Sequence, residues 1–238
     1  MPANRISTLG ALQSVPIPTD TTTYKHVSHA ELDKLTRDGL SKTGFQLNNT
    51  SYLTARDGQI AIAKYFIDYG NDPDMKYMLV WQNSYNKQLS LKYIGGAVIN
   101  ICSNGLIYGD IDSYFRKKHQ SDIQVITPEI INEYITKGAE QFDELIQFKE
   151  RLKQVEVTKR TCAELVGRMY IEEGIITANQ LSIIKQEIIK PSFDYGTTNT
   201  AWNLMNDITF SLKQAHPSNY MKQHLQTSEF LKKELIVS

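Results

Sequence analysis

Apolar and polar positions follow two different rhythms along this chain, and the change falls just past residue 104. Up to that point apolar residues tend to alternate with polar ones, the signature of strands; after it they recur at helical spacing. In "GFQLNNTSYLTARDGQIAIAKYFIDYG" two alternating runs flank Asp57-Gly58. Asp-Gly suits a type I′ turn, which requires positive φ at both central residues, so the segment predicts a hairpin. On its far side Ile60, Ile62, Tyr65 and Ile67 nearly alternate, with a slip near Lys64. "KYMLVWQNSYNKQLSLKYIGG" reads as strand, polar turn at Ser84 to Lys87, and strand, and "GGAVINICSNG" continues the pattern. Five or six strands over roughly residues 43–104, with connections too short for crossovers, predict an antiparallel meander.

The flanks read differently. Ser28 and Glu31 form a capping box before Leu32 and Leu35, which predicts a short helix over 29–38 with Gly39 as its stop. Residues 1–27, with Pro16, Pro18 and "TDTTT", show no period and are read as an extended arm of the kind that reaches a neighbouring subunit. Thr127-Pro128 starts a helix in which Ile131, Ile135, Phe142 and Ile146 recur to about residue 155, a span of about 40 Å. "TCAE" at 161 and "TANQ" at 177 are further capping boxes. "TTNTAWNLMNDITFSLKQA" predicts a helix over 199–214, and Pro217 separates it from a last helix over 219–235. The reading is an α+β fold, with an antiparallel β-meander packed against a long helix. The chain divides into an arm (1–27), an α+β core (28–156) and a C-terminal helical region (157–238).

Composition narrows the function classes. The chain has 238 residues, 41% hydrophobic and 22% charged, as an ordinary globular protein does. Lys plus Arg equals Asp plus Glu at 26 each, so no broad basic face coats nucleic acid, and an anionic partner must meet a local patch. The two cysteines, Cys102 and Cys162, form no CxxC pair. The N-terminal stretch lacks a secretory apolar run, and no segment reaches the roughly 20 apolar residues of a membrane span. These features predict a cytoplasmic protein off the membrane, with free, buried thiols.

Candidate chemistry concentrates after the last strand. Arg116, Lys117, Lys118 and His119 follow Tyr108, Tyr114 and Phe115. Cations beside aromatic rings offer phosphate neutralisation and stacking to a single strand. The bland alternative is a solvated loop, since Asp110, Asp112 and Asp122 cancel much of the charge. Asn104-Gly105 tolerates positive φ, so it is either a plain turn or a backbone nest that offers N–H groups to an anion. Cys102 could pair with His119 as a nucleophile, but "AVINIC" is an apolar strand in which a buried thiol acts as a small hydrophobe. His26, His29, His216 and His224 lack zinc-like spacing, and no P-loop, GxGxxG or HExxH occurs. No metal, cofactor or catalytic residue is therefore assigned.

The stretch "WQNSYNKQLSLKYIGGAVINICSNGLIYG", the later "RKKHQSDI" and "TAWNLMNDITFSLKQ" carry a family resemblance. Asn83-Ser84, Cys102-Ser103-Asn104-Gly105-Leu106 and Lys118-His119 match, in order, the recurring features of proteins of phages, plasmids and prophages grouped as domain of unknown function 932. The resemblance runs from about residue 40 to 215. It implies a mobile-element origin and no mechanism. A capped helix, a meander and a long helix also resemble, at fold level, the core of Rad-type phage single-strand annealing proteins, which hold DNA in a basic groove of a ring. The expectation is a non-enzymatic, homo-oligomeric protein binding single-stranded nucleic acid through Tyr108, Tyr114, Arg116, Lys117, Lys118 and His119, with Asn104 and Gly105 aiming the segment. The alternative is an anti-defence or host-interaction protein that binds a host protein or a nucleotide.

Overall fold

The computed structural model describes residues 5–22, 24–107, 115–117 and 128–236. Among them a seven-stranded antiparallel sheet combines with seven helices in an α+β fold. The strands are β1 (Arg5–Ser7), β2 (Gln46–Ala55), β3 (Ile60–Asp68), β4 (Met75–Ser84), β5 (Leu91–Ile99), β6 (Gly105–Ile107) and β7 (Phe115–Lys117). β1 to β6 lie side by side in chain order, the expected meander. β7 joins the β6 side of β5, pairing with Leu91–Tyr93 while β6 pairs with Gly96–Val98.

Two local expectations shift. Asp57-Gly58 does sit between two strands, but the left-handed residues begin one position earlier, at Arg56 (φ 52) and Asp57 (φ 54), before Gly58 (φ 85). β3 has no slip at Lys64: its register with β4 runs unbroken from Ile60 to Ile67. The irregularity lies instead in β2, as a bulge between Leu47 and Asn49. The near-alternation of β3 arises because both faces of the sheet are covered. Ala61, Ala63, Tyr65 and Ile67 join the larger apolar cluster on one face, and Ile62 joins a second cluster on the other.

The helices are α1 (Leu9–Gln13), α2 (His29–Lys42), α3 (Pro128–Gln154), α4 (Lys159–Ile171), α5 (Ala178–Ile189), α6 (Ala201–Leu212) and α7 (Tyr220–Leu235). Ser28 caps α2 as expected, but Gly39 does not stop it. A Cβ on Gly39 would lie 2.7 Å from Asn132 Oδ1 and 2.8 Å from Ile135 Cδ1, so Gly39 marks the close approach of α2 to α3. On the same face α3 touches the sheet where Gly95 of β5 meets Gly138, and Tyr77 Oη donates to the Ile135 carbonyl at 3.0 Å. The far end of α3 is held by Lys149, whose buried ammonium meets Asp72 at 2.5 Å and Asp74 at 2.9 Å. Burial of a charge is tolerated because it is paired and hydrogen-bonded.

The N-terminal stretch was expected to be an extended arm, and its described part opens on the strand β1. α1 follows it, and Leu12 is 1% exposed in the main cluster of its own chain. The α4 cap also moves: Thr158 accepts from the Thr161 N–H, so Thr161 is the third helical residue and not the cap. At α5 the expected reciprocal box between Thr177 and Gln180 forms. The main cluster runs without a break from Leu12 through the sheet to α3, α4, α6 and Phe230. The N-terminal half of α7, with Tyr220, Met221 and Leu225, covers the other face. Among the described residues no helix is long and apolar enough to cross a membrane.

Candidate nucleic-acid interface

Of the residues expected to bind a single strand, Tyr108, Tyr114, Lys118 and His119 lie outside the described residues. Arg116 and Lys117 belong to β7, where Arg116 pairs in register with Lys92 and Lys117 with Leu91. The backbone of this basic stretch is therefore held on the sheet.

The Cys102-Ser103-Asn104-Gly105 stretch forms a turn after β5, the plainer of its two readings. The positive φ falls on Ser103 (φ 55), not on Asn104 or Gly105. Ser103 N–H donates to the Ile99 carbonyl and Ile99 N–H to the Asn104 carbonyl, both at 2.8 Å, closing a tight turn between β5 and β6. Asn104 is 0% exposed, and its side-chain amide donates to the Asn206 carbonyl at 3.2 Å and to Thr209 Oγ1 at 3.4 Å. Its backbone N–H points at the Cys102 thiol. Gly105 already belongs to β6 and lies under the Tyr220 hydroxyl, where a Cβ would not fit. Asn104 is buried and docks the turn onto α6, while Gly105, also buried, lines a groove on the sheet face under α7.

Cys102 sits at the edge of a cluster of titratable groups that the sequence did not bring together. It is 4% exposed, and burial pushes its thiol up, against the Asn104 N–H, the Tyr195 hydroxyl and the Lys213 charge. Burial and the neighbouring thiol push Tyr195 up in turn. Asp207 on α6 is 5% exposed, and its carboxyl is pushed up to about 7, first by burial and then by the charge of Glu187. Glu187 accepts from the Ser192 N–H and hydroxyl, both at 2.8 Å. Tyr195 also lines a cleft of about 520 Å³, together with Asp74, Asn100, Lys153, Thr200 and Trp202. Asp207 itself is not among the residues lining this cleft. The one sequence signal for Asp207 is an acid within the apolar run "AWNLMNDITF".

Two other polar centres were missed. Asp33 of α2 accepts from Tyr52 Oη at 2.6 Å, Tyr65 Oη at 2.7 Å and Arg37 Nε at 2.8 Å, and Trp81 Nε1 donates to Tyr65 Oη at 2.8 Å. These satisfied bonds tie α2 to the sheet. On the opposite face, His224 is buried against Tyr220, with ring centroids 4.4 Å apart. Burial, with the charge of Lys64, lowers its pKa to about 3, so its ring is neutral. Neither ring nitrogen finds a hydrogen-bond partner among the described residues. No group of three or more His, Cys, Asp and Glu among those residues could hold a metal ion.

No curated protein and no solved structure matches the chain. The family model described as Domain of unknown function (DUF932) matches residues 19–232, from before α2 into α7, and the chain belongs to that family.

Proposed function

We propose that the protein binds single-stranded nucleic acid for a phage or another mobile element, acting in strand annealing during recombination or replication without a catalytic step of its own. The observation that supports this reading best is the pairing of β7 with β5, which sets Arg116 opposite Lys92. Lys87 lies in the turn between β4 and β5, near the same end of β5, and Lys117 and Lys118 continue the basic stretch. In a chain with 26 basic and 26 acidic residues, such local segregation is what a nucleic-acid site requires. The order of capped helix, meander and long helix adds a fold-level analogy with Rad-type annealing proteins, which is support of a weaker kind. Like those proteins, this one is read as self-associating.

The test is fluorescence anisotropy with a labelled oligothymidine over a salt series. Wild type binds at low salt and weakens steeply as salt rises, because phosphate contacts release counterions. The triple variant Arg116→Ala, Lys117→Ala, Lys118→Ala flattens the slope by up to about three units. Absence of binding at low salt, or equal slopes, overturns the role of this segment and leaves the host-interaction reading. Light scattering checks self-association against the 27.2 kDa monomer.

A further inference from the structure

The face of the sheet under α7 carries a groove of about 480 Å³ beside the first turn of that helix. Its floor and walls include Ser51 of β2, Lys64 and Phe66 of β3, Met78 of β4, and Asn100 and Ser103 of the turn after β5. Two backbone irregularities bound it. The β2 bulge sets the exposed Asn48 and Asn49 at one rim, and the left-handed Ser103 stands at the other, three strands away. Bulges re-aim side chains and recur beside functional sites.

Among the residues lining the groove the single charge is a cation, Lys64. None of the residues lining it is acidic. Lys64 Nζ stands 3.9 Å from the centre of the Tyr220 ring, and Lys213 holds the Cys102 carbonyl next to Ser103. The Lys64 charge is felt at both Lys213 and His224, where it adds to the effect of burial in disfavouring a second positive charge. A cation on a groove with no acidic lining favours an anion. The Tyr195 cleft contrasts with this, since Asp74, Asp194 and Lys153 give it a lining of mixed charge. Beside the groove the Tyr220 hydroxyl and both His224 ring nitrogens are buried without a hydrogen-bond partner among the described residues.

The remaining lining is of the kind a base asks for. Phe66 is partly exposed on the sheet surface, and side-chain amides and hydroxyls surround it. Aromatic rings stack bases with little regard to sequence. The row Ile62–Gln82–Lys92–Arg116 lies four residues along the strands from the row Phe66–Met78, roughly 13 Å at strand rise.

We propose that this groove seats a nucleotide of a bound single strand, with its base stacked on Phe66 and hydrogen-bonded by Asn48 and Asn49, and its phosphate at Lys64. The proposal rests on the nucleic-acid reading above and adds a second contact to the basic strand. The experiment uses the full chain and an oligothymidine carrying a 4-thiothymidine. Ultraviolet crosslinks are mapped by mass spectrometry, and affinity is read by anisotropy for Phe66→Leu, Lys64→Gln and the pair Asn48→Ala, Asn49→Ala. Crosslinks fall on the β3 peptide containing Phe66. Phe66→Leu weakens binding about fivefold or more with an unchanged salt slope, and Lys64→Gln lowers the slope by about one unit. The asparagine pair is exposed and leaves folding intact, so it reports even where Phe66→Leu disturbs packing. Wild-type affinity in all variants, with crosslinks elsewhere, overturns the groove while the nucleic-acid reading stands. Absence of wild-type binding at low salt overturns both.

Discussion

The Lys213 ammonium donates to the Cys102 carbonyl oxygen at 2.6 Å, joining residues 111 positions apart. The same ammonium lies 4.7 Å from the Phe210 ring centre and 5.9 Å from that of Phe193. With the Asn104 bonds to Asn206 and Thr209, it fastens the turn after β5 to α6. Two stretches that carry the family resemblance, "CSNG" and "TAWNLMNDITFSLKQ", thus form one joint between the sheet and the C-terminal helices.

Removing that ammonium tests the joint. Lys213→Met keeps the length of the stem and loses the donor. The lysine is exposed enough for water to compete, so the loss is about 1 kcal/mol. A urea unfolding curve reads it as a lower midpoint with an unchanged slope.

Gly105 and Tyr220 make a double-mutant cycle. Gly105→Ala puts a methyl group against the Tyr220 hydroxyl and costs about 1–3 kcal/mol through overpacking. Tyr220→Phe removes a buried hydroxyl with no partner among the described residues, and is close to neutral. The double variant recovers much of the Gly105→Ala loss. Additive effects in thermal melts would show that the two side chains do not collide.

Cys102 is structural in this arrangement. At 4% exposure, with its thiol pushed up by burial, it reacts slowly with thiol reagents in the native state and fast in denaturant. Cys102→Ala costs about 1 kcal/mol or a little more, as other small core truncations do, and leaves oligonucleotide affinity unchanged. Fast native labelling would return the thiol to the list of nucleophiles.

Asp207 makes stability depend on pH. Its folded pKa of about 7 stands above the ordinary 3.8, so between those values the folded state binds more protons than the unfolded one. Stability therefore falls as pH rises from about 4 to about 7, by a few kcal/mol at most. Asp207→Asn removes this dependence, matching wild type near pH 4 and exceeding it at pH 8 in urea unfolding. A wild-type curve that rises over that interval, and is unaltered by the substitution, contradicts the assignment.

Much of the local structure was legible because it depends on neighbours in the chain. Alternation marked β2 to β5, Ser28 and Thr177 announced their helices, and the run from Pro128 gave a 27-residue α3 close to its expected length. Tyr108, Tyr114, Lys118 and His119 could be named as candidates from cations beside aromatics, but they lie outside the described residues. The turn at Asn104-Gly105 was legible, but the positive φ fell on Ser103, because tolerance of positive φ is a local property. What placed them was the Tyr220 hydroxyl above one and Asn206 and Thr209 beside the other.

The sequence by itself determined the α+β class, the meander and the family resemblance, since period, caps and turn residues act over a few positions. Only the tertiary structure decided which faces were covered. A period of two says that a strand has two sides, but not that α7, more than a hundred residues on, closes the second one. That coverage makes Ile62 core, leaves His224 of that helix neutral, and turns an apparent slip at Lys64 into a regular strand with a cation beside a groove. The same long-range packing buries Leu12 in its own chain and raises Asp207 toward neutrality, because burial depends on which distant surfaces meet.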